Sequence, residues 1–465
     1  MERRSKSKPW LVMVRWTGIF VLIILAGAVT GIIAEQSLEK WGGLSQPDFI
    51  PGNEGSVGAW GPVSLVFPAE MDVSSVERAI RIQPEVQVNY EWSGNRLSIL
   101  PQTALKTGTV YTLTLQAGSK SQVGSVSRRP VSWTFQVRPA SVVYIQREQD
   151  GSTGDLERAT TGGEKNRLTD TGQRVADFGT ARDGEQIVYS VENDQGGADL
   201  WKVDRDGKQS GLIVSCGQDR CDQPDWAPDG AFIAYRRSTS GSDADTGGTI
   251  WIWEAASRTT KELSNGAKPN GTSPTWALNG HRLAYLDTAA ETIHLVDLDG
   301  PDLFELPVRS GIMGNWSPDG KKFVYVDVQN TDIHPAYNLY VADLTSGSIT
   351  PVSIDQKDLL ELGSPRYSPD GESITVNARP LAAPMGKQIW WIQPDGKIET
   401  ITNDVNFIYS AYTWSPAGDW LAFQQFEMGS SHSTPQIVIW QRAEPAGSGQ
   451  PRVIAENAVQ PEWLP

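Results

Sequence analysis

The sequence predicts an all-β chain in three parts: an N-terminal transmembrane helix, a β-sandwich, and a β-propeller closed by the C-terminal strand. Three observations carry this expectation. A basic N-terminus is followed by a long uncharged run, the next hundred residues alternate apolar and polar side chains in short stretches, and one turn motif recurs six times after residue 180. The boundaries are a cytoplasmic basic segment at 1–15, the helix at 16–34, a linker at 35–54, the sandwich at 55–140 and the propeller at 141–465.

Residues 1–15 contain Arg3, Arg4, Lys6, Lys8 and Arg15 against Glu2, and residues 16–34 carry no charge. A run of nineteen such residues can span a bilayer. The basic flank stays in the cytoplasm, which places the bulk of the chain outside the cell membrane as a single-pass protein. Ala26-Gly27-Ala28 offers a small-residue cleavage site, so a processed signal is the alternative, but the apolar run continues to Ala34. The whole chain carries −15, and its acidity lies in the exported part. That balance argues against a nucleic-acid partner.

After a linker rich in Gly, Pro and polar residues come period-two stretches. They are Val63–Phe67, Ala79–Ile82, Val86–Trp92, Leu97–Pro101, Tyr111–Leu115 and Trp133–Val137. Some six short strands in this length read as a sandwich. The string Phe67-Pro68-Ala69-Glu70-Met71-Asp72, Pro101 at a strand end, the Gly108–Leu113 approach and the closing Trp133-Thr134-Phe135 resemble the bacterial Ig-like module of surface-layer and other envelope proteins. The resemblance implies a spacer or adhesion unit.

The repeat is clearest at Trp316-Ser317-Pro318-Asp319-Gly320 before Phe323-Val324-Tyr325. Its other copies begin at Trp226, Trp276, Tyr367 and Trp414, and Ala181-Arg182-Asp183-Gly184 keeps only the end. Pro presets φ at the first central turn position, Asp suits the second, and Gly takes the left-handed conformation, so each copy is a hairpin. A second apolar strand follows each turn, as in Ile250-Trp251-Ile252-Trp253. The closing residues Tyr189, Tyr235, Tyr285, Tyr325, Val376 and Phe423 lie 46, 50, 40, 51 and 47 residues apart. Four strands in each such interval make a propeller blade.

The chain ends supply the blade count. Gln460-Pro461-Glu462-Trp463-Leu464-Pro465 is the first half of a motif, and Val142-Val143-Tyr144 is a second half without its beginning. Joined, they make a seventh blade; a six-bladed ring with residues 142–170 as a connector is the alternative. Closure removes the open sheet edges that invite aggregation. Over residues 142–465 these repeats resemble the TolB-like, WD-related β-propellers. That resemblance implies the fold and leaves the function open, since it covers periplasmic scaffolds and the non-catalytic propellers of some peptidases.

Cys216 and Cys221 are the two cysteines. Outside the membrane they are expected to form a disulfide worth about 2 kcal/mol, with a metal pair as the alternative reading. The histidines His281, His294, His334 and His432 show no metal-ligand spacing, so no metal or cofactor is expected. No Gly-x-Ser-x-Gly elbow occurs. Asp243–Trp251 resembles an Asp-box with its Trp one residue late, which a polar loop also explains. One position recurs with chemical meaning: the residue before each motif aromatic is Asp225, Thr275, Asn315, Arg366, Thr413 or Glu462, with Gly179 in the degenerate copy. On innermost strands these would face the axial channel, as a solvated lining or as a pocket for a small ligand or a partner's peptide. The expected function is a membrane-anchored, non-enzymatic binding or scaffold protein recognising an envelope protein or small ligand. The alternative is an envelope hydrolase or lyase acting on glycans or peptides through channel carboxylates.

Overall fold

The computed structural model describes residues 45–148, 153–239, 248–263, 270–278, 280–301, 303–329, 336–354, 359–380, 386–429, 434–442 and 451–465. Its two compact units are built on residues 62–103 and 110–136 with the strands before them, and on residues 137–465. Among the described residues no helix is long and apolar enough to cross a membrane. The expected span at 16–34 and the loop at 240–247 lie outside them.

The first unit holds two four-stranded sheets. One comprises β1 (Asp48–Ile50), β3 (Val63–Val66), β6 (Arg96–Pro101) and β5 (Val88–Ser93), in that order. The other runs β2 (Gly55–Val57), β8 (Val131–Val137), β7 (Val110–Leu115), β4 (Ile80–Gln83). Leu65, Leu97, Leu113 and Leu115 are fully buried, as period-two alternation requires. Two expectations need correction. The linker does not reach residue 54, because Phe49 of β1 is buried and stacks on Trp133 at 5.5 Å while β1 pairs with β3. The chain is also not purely β: Val73–Ala79 forms helix α1. Asp72 caps it, its Oδ1 accepting the Ser75 N–H at 3.0 Å, and Val76 and Ala79 are buried one turn apart.

Among the described residues the second unit forms a propeller of seven four-stranded blades. The inner strands of blades 2 to 7 are Val175–Thr180, Arg220–Trp226, Gly271–Trp276, Asn315–Trp316, Leu359–Tyr367 and Phe407–Trp414. Blade 1 takes its inner strand from the C-terminus: Ala458–Leu464 pairs antiparallel with Ser141–Arg147, placing Trp463 opposite Val142. Residues 141–167 are therefore the other three strands of that blade and not a connector. The motif turns behave as their residues dictate. Gly320 at φ 63° donates to the Ser317 carbonyl at 2.8 Å, and Gly418 does the same to Ser415 at 2.9 Å. Where Ala417 replaces the motif Asp, Asp419 accepts the Ser415 hydroxyl at 2.7 Å instead. Cys216 and Cys221 are joined by a disulfide in the connection into blade 3.

Candidate functional site: the axial channel

Most inner strands begin antiparallel to their neighbour, bulge, and resume out of register. The shift falls at Asp222/Asp225, Thr272/Thr275, Gly363/Arg366, Ser410/Thr413 and Val459/Glu462. At each of these bulges a non-glycine residue three before the aromatic takes positive φ: Gln223, Ser273, Ser364, Ala411 and Gln460, all between 44° and 55°. A bulge breaks the side-chain alternation and re-aims the residues beyond it. Five repetitions of one strained position mark it as a feature of the blade.

All six predicted residues, Asp225, Thr275, Asn315, Arg366, Thr413 and Glu462, line one cavity of 270 Å³ on the side of the motif turns. Five of them also line a second cavity of 420 Å³ on the other side, whose wall includes Asp177 and Gln223. The predicted position therefore borders both cavities.

The structure gives this position a job that the sequence does not reveal. Asp225 Oδ2 accepts the backbone N–H of Trp276 at 2.8 Å, Asn315 Oδ1 that of Tyr367 at 3.1 Å, and Glu462 Oε1 that of Thr180 at 3.1 Å. Each of the three side chains thus staples its blade to the next. The motif indoles join blades in the same sense: Trp276, Trp316 and Trp463 donate Nε1–H to the carbonyls of Asp225, Thr275 and Thr413 in the preceding blade at 3.1, 3.0 and 2.9 Å. Gly179 is also a requirement, since a Cβ there would meet the Pro224 carbonyl oxygen at 2.4 Å.

Three acids share the channel. Burial pushes Asp225 up to about 7 against the opposing Trp276 N–H and Arg366 charge. Burial and the charge of Asp225 push Glu462 to about 7. On the far side Asp177 is pushed to about 7 by burial and by Asp222, although the N–H groups of Phe178 and Gln223 pull it down. Arg366 makes no hydrogen bond or ion pair among the described residues.

The Asp177 shift has a stability consequence. An acid whose folded pKa exceeds its unfolded value of about 3.9 stays protonated in the fold, so stability falls as pH rises from about 4 to about 7 and is constant above. Asp177→Asn is expected to raise stability at pH 8 by about 1 to 2 kcal/mol, discounted for channel solvent, and to change little at pH 4. Denaturant titrations at the two pH values check this.

The remaining candidates lie apart. His281 bridges Asp229 at 2.8 Å and Asp299 at 2.7 Å between the turns of blades 3 and 4, and hydrogen bonds to these carboxylates raise its pKa. His294 stacks on Tyr285, while His334 and His432 lie outside the described residues. Among the described residues no cluster of three His, Cys, Asp or Glu side chains could hold a metal ion.

Residues 50–137 match the bacterial Ig-like domain family. An uncharacterized protein of Agrobacterium fabrum is 28% identical over 223 residues, 44% of this chain and 65% of that protein. The uncharacterized peptidase YuxL of Bacillus subtilis is 25% identical over 190 residues, 33% of this chain and 29% of YuxL. The chain thus spans less than two thirds of either relative. Among solved structures, TolB from Acinetobacter baumannii is similar at 13% identity and a TM-score of 0.44, with 83% of both chains covered.

Proposed function

We propose that the protein is a membrane-anchored extracytoplasmic binding protein whose propeller channel receives a small ligand or a segment of an envelope partner. The observation that carries this reading is the convergence of six repeat-encoded side chains on one cavity, where Arg366 makes no hydrogen bond or ion pair among the described residues. The basic N-terminus, the uncharged run at 16–34 and the Cys216–Cys221 disulfide support placement outside the cytoplasmic membrane. The Ig-like unit then serves as a spacer.

A photo-crosslinking residue at Thr413 in the full-length protein, expressed in cells, tests the channel. Adducts are expected from Thr413 and not from Ser348, an exposed residue on the outer strand of blade 5. Adducts from Ser348 alone would move recognition to the outer face. Labelling of an added cysteine at Ser348 by an impermeant maleimide on intact cells tests the placement.

The enzymatic reading draws on one observation, the two channel carboxylates Asp225 and Glu462 poised at about 7. Their engagement as blade staples favours binding. Turnover of a glycan or peptide library that disappears in Asp225→Asn with the fold intact would reverse that preference.

A further inference from the structure

Three residues at the motif-side cavity carry donors without acceptors. Trp226 is 7% exposed and lines the cavity, yet its indole N–H has no acceptor among the described residues. Its counterparts Trp276, Trp316 and Trp463 all have one. Arg182 lines the same cavity and its buried Nε–H is likewise without an acceptor. Arg366 adds a guanidinium with no hydrogen bond or ion pair among the described residues. Among the acceptors nearby, Asp225 Oδ2, Asn315 Oδ1 and Glu462 Oε1 each receive a backbone N–H from the next blade. Buried donors without acceptors are costly. An incoming acceptor relieves that cost.

We propose that the motif-side mouth of the channel binds a carboxylate, anchored by Arg366 and completed by the free donors of Trp226 and Arg182. The proposal rests on the reading of the channel as a binding site and names the chemistry of its ligand. A carboxylate fits because it carries only acceptors and matches the planar fork of a guanidinium. The wall between the donors is built from motif aromatics and prolines, including Trp276, Pro318 and Pro369. It suits an apolar body attached to the acid. At 270 Å³ the cavity admits one such group, from a free organic acid or from the C-terminal residue of a peptide.

Calorimetry on the detergent-purified full chain tests this with 3-phenylpropionate against its amide, and with N-acetyl-Ala-Ala-Phe against its C-terminal amide. Both acids are expected to bind at least tenfold more tightly than their amides. Arg366→Gln is expected to weaken the acids at least tenfold, and Trp226→Phe, which removes the indole N–H, several-fold. Arg309→Gln, exposed between blades 4 and 5, should leave binding unchanged. Tighter binding of the peptide acid identifies a chain end as the source, and equal or weaker binding a free acid. Equal affinities for acid and amide, no binding of either acid, or indifference to Arg366→Gln would overturn the proposal. If the acids fail while Thr413 crosslinks persist, the carboxylate is wrong and the channel reading stands; if both fail, so does that reading.

Discussion

Deletion of residues 458–465 is expected to lower the melting temperature by more than about 10 °C and to yield a protein that aggregates on purification. The strand brings Ala458, Val459, Trp463 and Leu464 into the core, each less than 5% exposed. A Trp-to-Ala truncation alone costs about 3 to 5 kcal/mol and a Leu truncation about 2 to 5, and a domain of this size loses roughly 2 to 4 °C per kcal/mol. The deletion also opens the ring. Glu462 no longer accepts from Thr180, Trp463 no longer bonds to Thr413, and Ser141–Arg147 becomes an unpaired edge. Exposed edges of that kind template aggregation. Scanning calorimetry with light scattering reads both effects, and an unchanged melting temperature would mean that the ring does not depend on its C-terminal strand. Gly184→Ala is a milder probe of the same closure, since a Cβ there would meet the Pro465 carbonyl oxygen at 1.9 Å.

The turns are legible in the sequence because their chemistry is local. Pro, Asp and Gly each act on the backbone at their own position, so Trp316–Gly320 announces its hairpin without knowledge of the rest of the chain. Blade closure is legible because Trp463 belongs to the first half of a periodic motif whose second half stands at Val142-Val143-Tyr144. The bulges are not: Gln223, Ser273, Ser364, Ala411 and Gln460 share no residue type that signals positive φ. Their conformation is imposed by pairing with the next strand. The channel position is recognisable as polar, but its stapling role is hidden, because the hydrogen bonds that use Asp225 and Asn315 join residues about fifty apart in sequence. Helix α1 escapes for a different reason. Seven residues with two valines give too short an apolar period to separate a helix from a strand.

Arg236→Met is expected to destabilise the propeller by about 3 to 5 kcal/mol, the range for breaking one side of a buried ion pair. Arg236 Nε and Nη2 hold Asp222 Oδ1 and Oδ2 at 2.8 Å each, with both side chains less than 8% exposed. Arg220, 36% exposed, adds a contact at 3.0 Å but cannot replace the bidentate grip. The variant leaves a buried carboxylate with one partial partner. The double change Asp222→Leu with Arg236→Met should recover most of the loss, because the cost lies in the uncompensated charge and not in the absence of the pair. The pair also reaches the channel, since the charge of Asp222 helps to raise Asp177. In Arg236→Met that charge is less balanced, so Asp177 should titrate higher and Asp177→Asn should rescue stability at pH 8 more than it does in the parent. In the double variant the raising charge is gone and Asp177 should titrate lower, with a smaller gain from Asp177→Asn. Denaturant titrations of the parent and both variants, each with and without Asp177→Asn, at pH 5 and pH 8 separate these effects, and equal Asp177→Asn gains throughout would show that blade 3 does not set the electrostatics of the channel.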